Sequence, residues 1–490
     1  MENSHCSIEY NKSRKTQEEG IAHMSKEAPI KKKNSIDMLN GPIPSRVILF
    51  AIPLALTSIF QQLFNTADSV VAGRFIDNAA LAAVGGVAPI IALFVSLFVG
   101  LSIGANVVVA VHIGHQDYSR IRGAIQTTAI VSLVSGIALT LVGIVATDPI
   151  LGLVNMPLDA WDQARIYLHI YFAGIIFILI YNFGSAILRA KGDTRRPLIA
   201  LAIGALLNIF FDVCATVVLG MGVAGIALGT VIANAVSAGL IVFFLLTEED
   251  TYRLTFKGIR IVPDDLKQLL YIGIPSGMQG MVFSLANVVV QSAINSFGTD
   301  ATAGSSAALN YETYAYFVVN AFAQAAVTFT GQNYAAGKLD RCDKIFRFCM
   351  IAAIGFSFIV GGTFVLFNEV FLSFFTTEAA TLVFAVSRMW HICLLEFMTS
   401  SYEVSAAAMR GMNWSILPTI ITVVGSCVLR IVFIFTLFPL VYSYDNLLLI
   451  YPVSWIVTGV SMLILYVIAR KRAYAKALRI YSPSKAQQPA

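Results

Sequence analysis

Twelve stretches of about 20 or more predominantly apolar residues recur along this 490-residue chain, and they constrain its fold more than any other feature. Their approximate limits are 46–72, 80–111, 124–147, 164–188, 197–219, 223–247, 268–297, 302–334, 346–367, 383–409, 416–438 and 447–469. Lipid offers no partner to backbone N–H and C=O groups, so such a run crosses about 30 Å of hydrocarbon only as a helix that satisfies them internally. Composition agrees, since 57% of the residues are hydrophobic and 12% charged, against about 25% charged in a soluble domain. A soluble enzyme is thereby excluded. The 33 phenylalanines and the lack of a short Gly/Pro period exclude a disordered or fibrous chain as well. The expected fold class is an all-α polytopic membrane protein with twelve transmembrane helices.

The net charge of +5 takes its meaning from where the basic residues fall. Arg120 and Arg122, Arg189 to Arg196, Arg253 to Lys267, Lys338 to Arg347, Arg410 and both tails lie on one side of the spans. The other side offers Arg74, with Arg165 and Arg388 near helix ends. The positive-inside rule places the basic loops and both termini in the cytoplasm, and an even number of spans agrees. No nucleic-acid partner is expected. Residues 1–45 are polar, begin with no apolar h-region and contain Lys31-Lys32-Lys33, so they read as a disordered cytoplasmic arm and not as a signal peptide. An N lobe over 46–247, a basic linker over 248–267, a C lobe over 268–469 and a cytoplasmic tail over 470–490 complete the expected organisation. The six cysteines form no CxxC or CxxH pair, which argues against a disulfide framework or a zinc site.

The two lobes are copies. At an offset of about 222 residues, Pro53 falls on Pro275, Asn65 on Asn287, Arg189 and Pro197 on Arg410 and Pro418, and His169 on His391. With six helices between copies, both begin on the same side, so the repeats are parallel and related by an axis along the membrane normal. That is a common plan of secondary transporters, with a cavity between two six-helix bundles.

Ionisable residues inside spans are costly and mark candidate sites. The N lobe has Asp68 in helix 1 and Asp212 in helix 5. Asn208 precedes Asp212 by four residues and so shares its helix face. Thr230 in helix 6 lies at similar depth, counting about 1.5 Å per residue from the outer helix ends. Two carboxylates, an amide and a hydroxyl at one depth suit either a proton, held on a desolvated acid pair, or a small hard cation such as Na⁺. In the C lobe Arg430 stands at the Asn208 position, and Glu312, Glu396 and Glu403 are the in-span acids. One of these glutamates is the expected counter-charge of Arg430. Glu312 is then either a cavity acid that attracts cationic substrates or the structural partner of Arg430. Gln61, Asn65 and Gln279 are further candidates for the cavity lining. Pro53, on the helix of Asp68, removes a backbone hydrogen bond and permits a kink.

The stretches IPLALTSIFQQLFNTADSVVAGRF, LNIFFDVCA, ILRAKGDTRRPL and GQNYAAGKLDR resemble the multidrug and toxic compound extrusion (MATE) family, and the resemblance covers residues 40 to 470. It implies a V of two six-helix lobes that exports organic cations and other amphiphiles across the cytoplasmic membrane by antiport against H⁺ or Na⁺. It also implies a monomer with no cofactor beyond the coupling ion. Members that couple through the N lobe are similar at Asp68, Asn208, Asp212 and Thr230, and at Pro53. Helix 7 departs from members that couple through the C lobe, because IGIPSGMQGMVFSLANVVV carries no acid. Glu312 does resemble an acidic position of bacterial members. The alternative function is a flippase for a lipid-linked saccharide or peptidoglycan precursor. It would need a cationic cavity, whereas Asp68, Asp212, Glu312, Glu396 and Glu403 outnumber Arg430. An intramembrane enzyme is disfavoured by the lack of HExxH and GxSxG motifs.

Overall fold

The computed structural model describes residues 36–153, 156–248, 251–375 and 378–481, and the expected arm before residue 36 and tail after 481 lie outside them. Among the described residues twelve long helices follow in order. The N lobe holds α1 (Ile43–Phe75), α2 (Asn78–Gly114), α3 (Tyr118–Leu153), α4 (Leu158–Lys191), α5 (Arg195–Val218) and α6 (Val223–Leu246). The C lobe holds α7 (Pro263–Asn295), α8 (Thr299–Ala335), α9 (Leu339–Leu366), α10 (Ala379–Gly411), α11 (Ile416–Leu440) and α12 (Tyr444–Tyr481). Eleven of these are long and apolar enough to cross a membrane on composition alone. The exception is α8, whose 37 residues are ample in length but richer in polar groups. Protein surrounds much of it: α1 and α2 of the other lobe and α9 and α10 of its own pack against α8, so its polar residues do not need lipid solvation.

The lobes meet in the halves of their helices next to the basic loops. There α2 and α7 cross on glycines. A Cβ at Gly100 would overlap the backbone of Gly277, and one at Gly104 would overlap Leu269 O, so only glycine permits this approach. Buried polar bonds fasten the same region. Asn106 donates to Ala186 O (3.0 Å) and accepts from Thr328 Oγ1 of the opposite lobe (3.0 Å). Gln332 Nε2 donates to Ala190 O (2.6 Å), and His112 Nε2 lies 2.8 Å from Asp265 Oδ1. These contacts between the lobes lie on the side of the basic loops.

At the basic ends, Glu248 joins Lys191 and Arg196, and Asp193 also pairs with Arg196. Burial alone would push the Glu248 carboxyl up, but the Lys191 and Arg196 charges outweigh it and hold it below the usual range. Both ends of the helical part differ from the sequence reading. The helix α1 starts at Ile43, and the residues just before it are packed rather than solvated, with Met38 fully buried. The last helix runs on without a break to Tyr481.

Candidate functional site

Within the N lobe, α1, α4, α5 and α6 bring one polar side chain each, and α5 a second, to a common point. Asp68, Asn208, Asp212 and Thr230 are 4%, 0%, 0% and 5% exposed. Asp68 is the hub. Its Oδ1 accepts from Asn208 Nδ2 (3.2 Å), and its Oδ2 accepts from Thr230 Oγ1 (2.9 Å) and from Tyr167 Oη (3.1 Å). Asn208 Nδ2 also reaches Thr230 Oγ1 (3.2 Å). The four residues expected from the sequence therefore do converge, and Tyr167 joins them as a fifth that the sequence reading missed.

Asp212 is arranged differently. It sits one turn beyond Asn208, within reach of Asp68 and of the Asn208 side chain, and no well-formed hydrogen bond to either of its carboxylate oxygens occurs among the described residues. Asn208 Oδ1 is likewise buried without a donor. Three acceptor oxygens thus sit in the protein interior without a well-formed hydrogen bond, a situation that folded proteins tolerate rarely and that is expensive inside a membrane. The backbone enforces it. Gly229 of α6 lies so close to Asp212 that a Cβ there would overlap Asp212 Oδ1, and immediately after Asp212 the helix widens into a π turn over Cys214–Val218. An acid pair with orphaned oxygens and no base can take up protons, or a small cation ligated by Asp212, Asp68 and the Asn208 carbonyl. No group of three or more His, Cys, Asp or Glu side chains suited to a metal occurs among the described residues.

The other sequence candidates lie apart from this cluster. Gln61 and Asn65 are exposed on α1. Pro53 is inside α1, and its carbonyl accepts from Thr57 Oγ1 (2.7 Å). Gln279 is buried and accepts from Arg410 Nη2 (2.6 Å).

The expected ion pair between Arg430 and a glutamate is not what the C lobe forms. Glu312 Oε2 is held by Arg388 through both Nε (3.1 Å) and Nη2 (2.9 Å). Arg430 instead donates from Nε to Ser454 Oγ (3.1 Å) and lies over the Tyr451 ring, 4.3 Å from its centroid. The Arg388 guanidinium is 5.7 Å from the same ring. The reason is register. The span containing Arg388 begins at Ala379, one turn earlier than its apolar run suggests, so Arg388 lies well inside the lobe and not at a helix end. Once there, it reaches Glu312 with a two-pronged grip, while an aromatic face and a hydroxyl accommodate Arg430.

A family model described as MatE matches residues 53–214 and again residues 275–436. The two matches are offset by the same 222 residues that relate the repeats. Among curated relatives, the probable multidrug resistance protein YoeA of Bacillus subtilis is 25% identical over 391 residues, covering 76% of this chain and 82% of its own length. The probable multidrug resistance protein NorM of Thermotoga maritima is 25% identical over 392 residues, covering 78% and 83%. A solved structure titled as the outward-facing conformation of a multidrug resistance MATE family transporter of the MOP superfamily has a TM-score of 0.83 at 22% identity. It covers 91% of this chain and 100% of its own. At that identity it shows the fold.

Proposed function

This chain belongs to the MatE family, the multidrug and toxic compound extrusion transporters, and from that premise we propose that it exports organic cations and other amphiphiles in exchange for H⁺ or Na⁺. It is a multi-pass membrane transporter and not an enzyme. The observation that carries the coupling is the set of orphaned oxygens on Asp212 and Asn208 beside Asp68. A coupling ion supplies the missing partner, and its departure leaves buried charge that the lobe must relieve by rearranging. Ion and drug then compete through the conformational equilibrium, and each weakens the other by the same factor.

In this reading the basic side is cytoplasmic. The lobes are in contact there, and the ion enters from outside to reach Asp68 and Asp212. The exposed amides of Gln61 and Asn65 on α1 offer polar surface to the organic substrate, which an apolar cleft alone would not orient. Ethidium efflux from proteoliposomes, driven by an imposed pH gradient or an imposed Na⁺ gradient, tests the proposal. Efflux under one gradient, lost in Asp212→Asn, is expected. Folded protein that moves ethidium under neither gradient would overturn it.

A further inference from the structure

Ahead of α1, residues 36–41 lie across both lobes on the basic side. The Ile36 N–H donates to Gly192 O (3.1 Å), where α4 ends in a left-handed turn at φ 99°. A Cβ on Gly192 would stand 2.6 Å from Ile36 O, so both backbone angle and close approach require glycine there. The C lobe meets the same segment with three side chains. Asn333 Nδ2 donates to Met38 O (3.1 Å), and Arg341 Nη2 donates to Met38 O (3.2 Å) and Gly41 O (3.0 Å). Lys338 Nζ donates to Leu39 O (3.1 Å) and Asn40 Oδ1 (2.7 Å). Asn333 Oδ1 braces Arg341 through its Nε (3.0 Å).

The segment is shaped for this seat. Asp37 Oδ1 accepts from Leu39 N (2.9 Å) and Asn40 N (3.2 Å), a local turn that presents successive carbonyls outward. Met38 is buried in an apolar cluster drawn from both lobes, with Val47 and Phe50 of α1 and Phe329 and Ile345 of the C lobe. The repeat supplies an independent parallel. The segment ahead of α7 crosses in the opposite sense onto α3, with Val262 N donating to Thr127 Oγ1 (2.9 Å) and Gln126 Nε2 donating to Thr255 O (3.0 Å). Each lobe thus sends the chain preceding its first helix onto the other.

We propose that residues 36–41 are a clasp, seated on Asn333, Lys338 and Arg341, that stabilises the state closed on this side and must come off one lobe before the opposite state can form. The anchors belong to different lobes, so the lobes cannot part here without breaking either the Gly192 bond or the bonds to Lys338, Asn333 and Arg341. The clasp therefore sets the ratio of the two conformations. This rests on the alternation of lobes proposed above.

The test is a distance measurement between nitroxide labels at Arg120→Cys and Lys344→Cys, in full-length protein with its native cysteines replaced, in lipid nanodiscs. Both positions are exposed, one at the basic end of each lobe. The wild-type clasp should give mainly the short distance. Lys338→Ala with Arg341→Ala should raise the long-distance population about fivefold, the scale of lost charge-assisted bonds. Ile36→Pro, which removes the donor to Gly192 together with part of the Ile36 packing, should raise it less, and Arg341→Lys should fall between. These two mild variants carry the test if the double variant does not fold. Lobes that switch between both distances while every clasp variant matches wild type would overturn the clasp alone. A wild type that shows one distance at all pH values, with and without Na⁺ or ethidium, would overturn the alternation and the clasp with it.

Discussion

Asp68 and Asp212 form no ion pair among the described residues, whereas the C lobe, built from the same repeat, surrounds its acids with arginines. Glu312 is gripped by Arg388, and Glu396 lies in the field of Arg430. Two in-span acids there face two in-span bases. The N lobe carries two acids and no base at the equivalent depth, and Asn208 stands where the C lobe has Arg430. Duplicated lobes thus offer an internal control. A buried charge that already has its partner holds one structure together, and a buried charge that lacks one must take its partner from outside. The second condition is what an exchanger needs, so the proposed function would draw its coupling chemistry from the N lobe and its fixed ionic scaffold from the C lobe.

The comparison breaks most readily at function. Asp212→Asn, which keeps the shape and removes the charge, should reduce gradient-driven ethidium efflux to the background of empty liposomes, and Asp68→Asn should do the same. Glu396→Gln should retain a measurable gradient response. The reverse pattern, with efflux surviving Asp212→Asn and vanishing in Glu396→Gln, would exchange the roles of the lobes.

Stability should respond the other way round. Arg388→Ala leaves Glu312 unpaired inside the lobe and should cost about 3–5 kcal/mol, read as a lowered unfolding midpoint of purified protein. Arg388→Met combined with Glu312→Gln removes both charges and should recover most of that loss. Asp212→Asn relieves a charge that has no partner, so its midpoint should equal or exceed that of wild type. A destabilised Asp212→Asn would mean that Asp212 already has a structural partner.

The contrast between lobes also explains what was legible in the sequence. The four N-lobe residues could be found because a carboxylate in an apolar run is conspicuous and the Asn208–Asp212 spacing fixes a shared helix face. Tyr167 escaped because a tyrosine in an apolar helix is unremarkable until something accepts its hydroxyl proton. Depth was the available signal. Tyr167 lies nine residues from the start of α4 at Leu158, close to the depth of Asp68, seven residues from the end of α1 at Phe75. The C-lobe pairing was illegible for a different reason. A boundary set one turn late moved Arg388 to a helix end, and no periodicity says which of two arginines a glutamate will choose. The clasp residues were hidden by composition, since a polar stretch beside Lys31-Lys32-Lys33 looks solvated whether or not a turn within it is seated.

Glycine substitutions sharpen the comparison further. Gly229→Ala would drive a methyl group against Asp212 Oδ1, and Gly425→Ala would drive one against Thr458 Oγ1 in the C lobe. Overpacking of this kind costs about 1–3 kcal/mol, about fivefold to 150-fold in an equilibrium. For Gly229→Ala the loss should appear mainly as a raised half-saturating concentration of the coupling ion in efflux assays. For Gly425→Ala it should appear as lowered stability with an unchanged ion dependence.

The smallest effect concerns Tyr167. Its hydroxyl donates to Asp68 Oδ2 and so occupies acceptor capacity that the coupling ion would otherwise use. Tyr167→Phe removes one hydrogen bond, worth about 0.5–1.5 kcal/mol, and leaves the ring in place. The less satisfied carboxylate should bind its ion more tightly. The half-saturating ion concentration should therefore fall roughly three- to tenfold, and the maximal rate should fall with it because the ion leaves more slowly. Ser454→Ala, the matching deletion beside Arg430, should change neither quantity. A half-saturating concentration that rises in Tyr167→Phe would mean that the hydroxyl is itself a ligand of the ion, and the site would then draw on three helices to bind it rather than two.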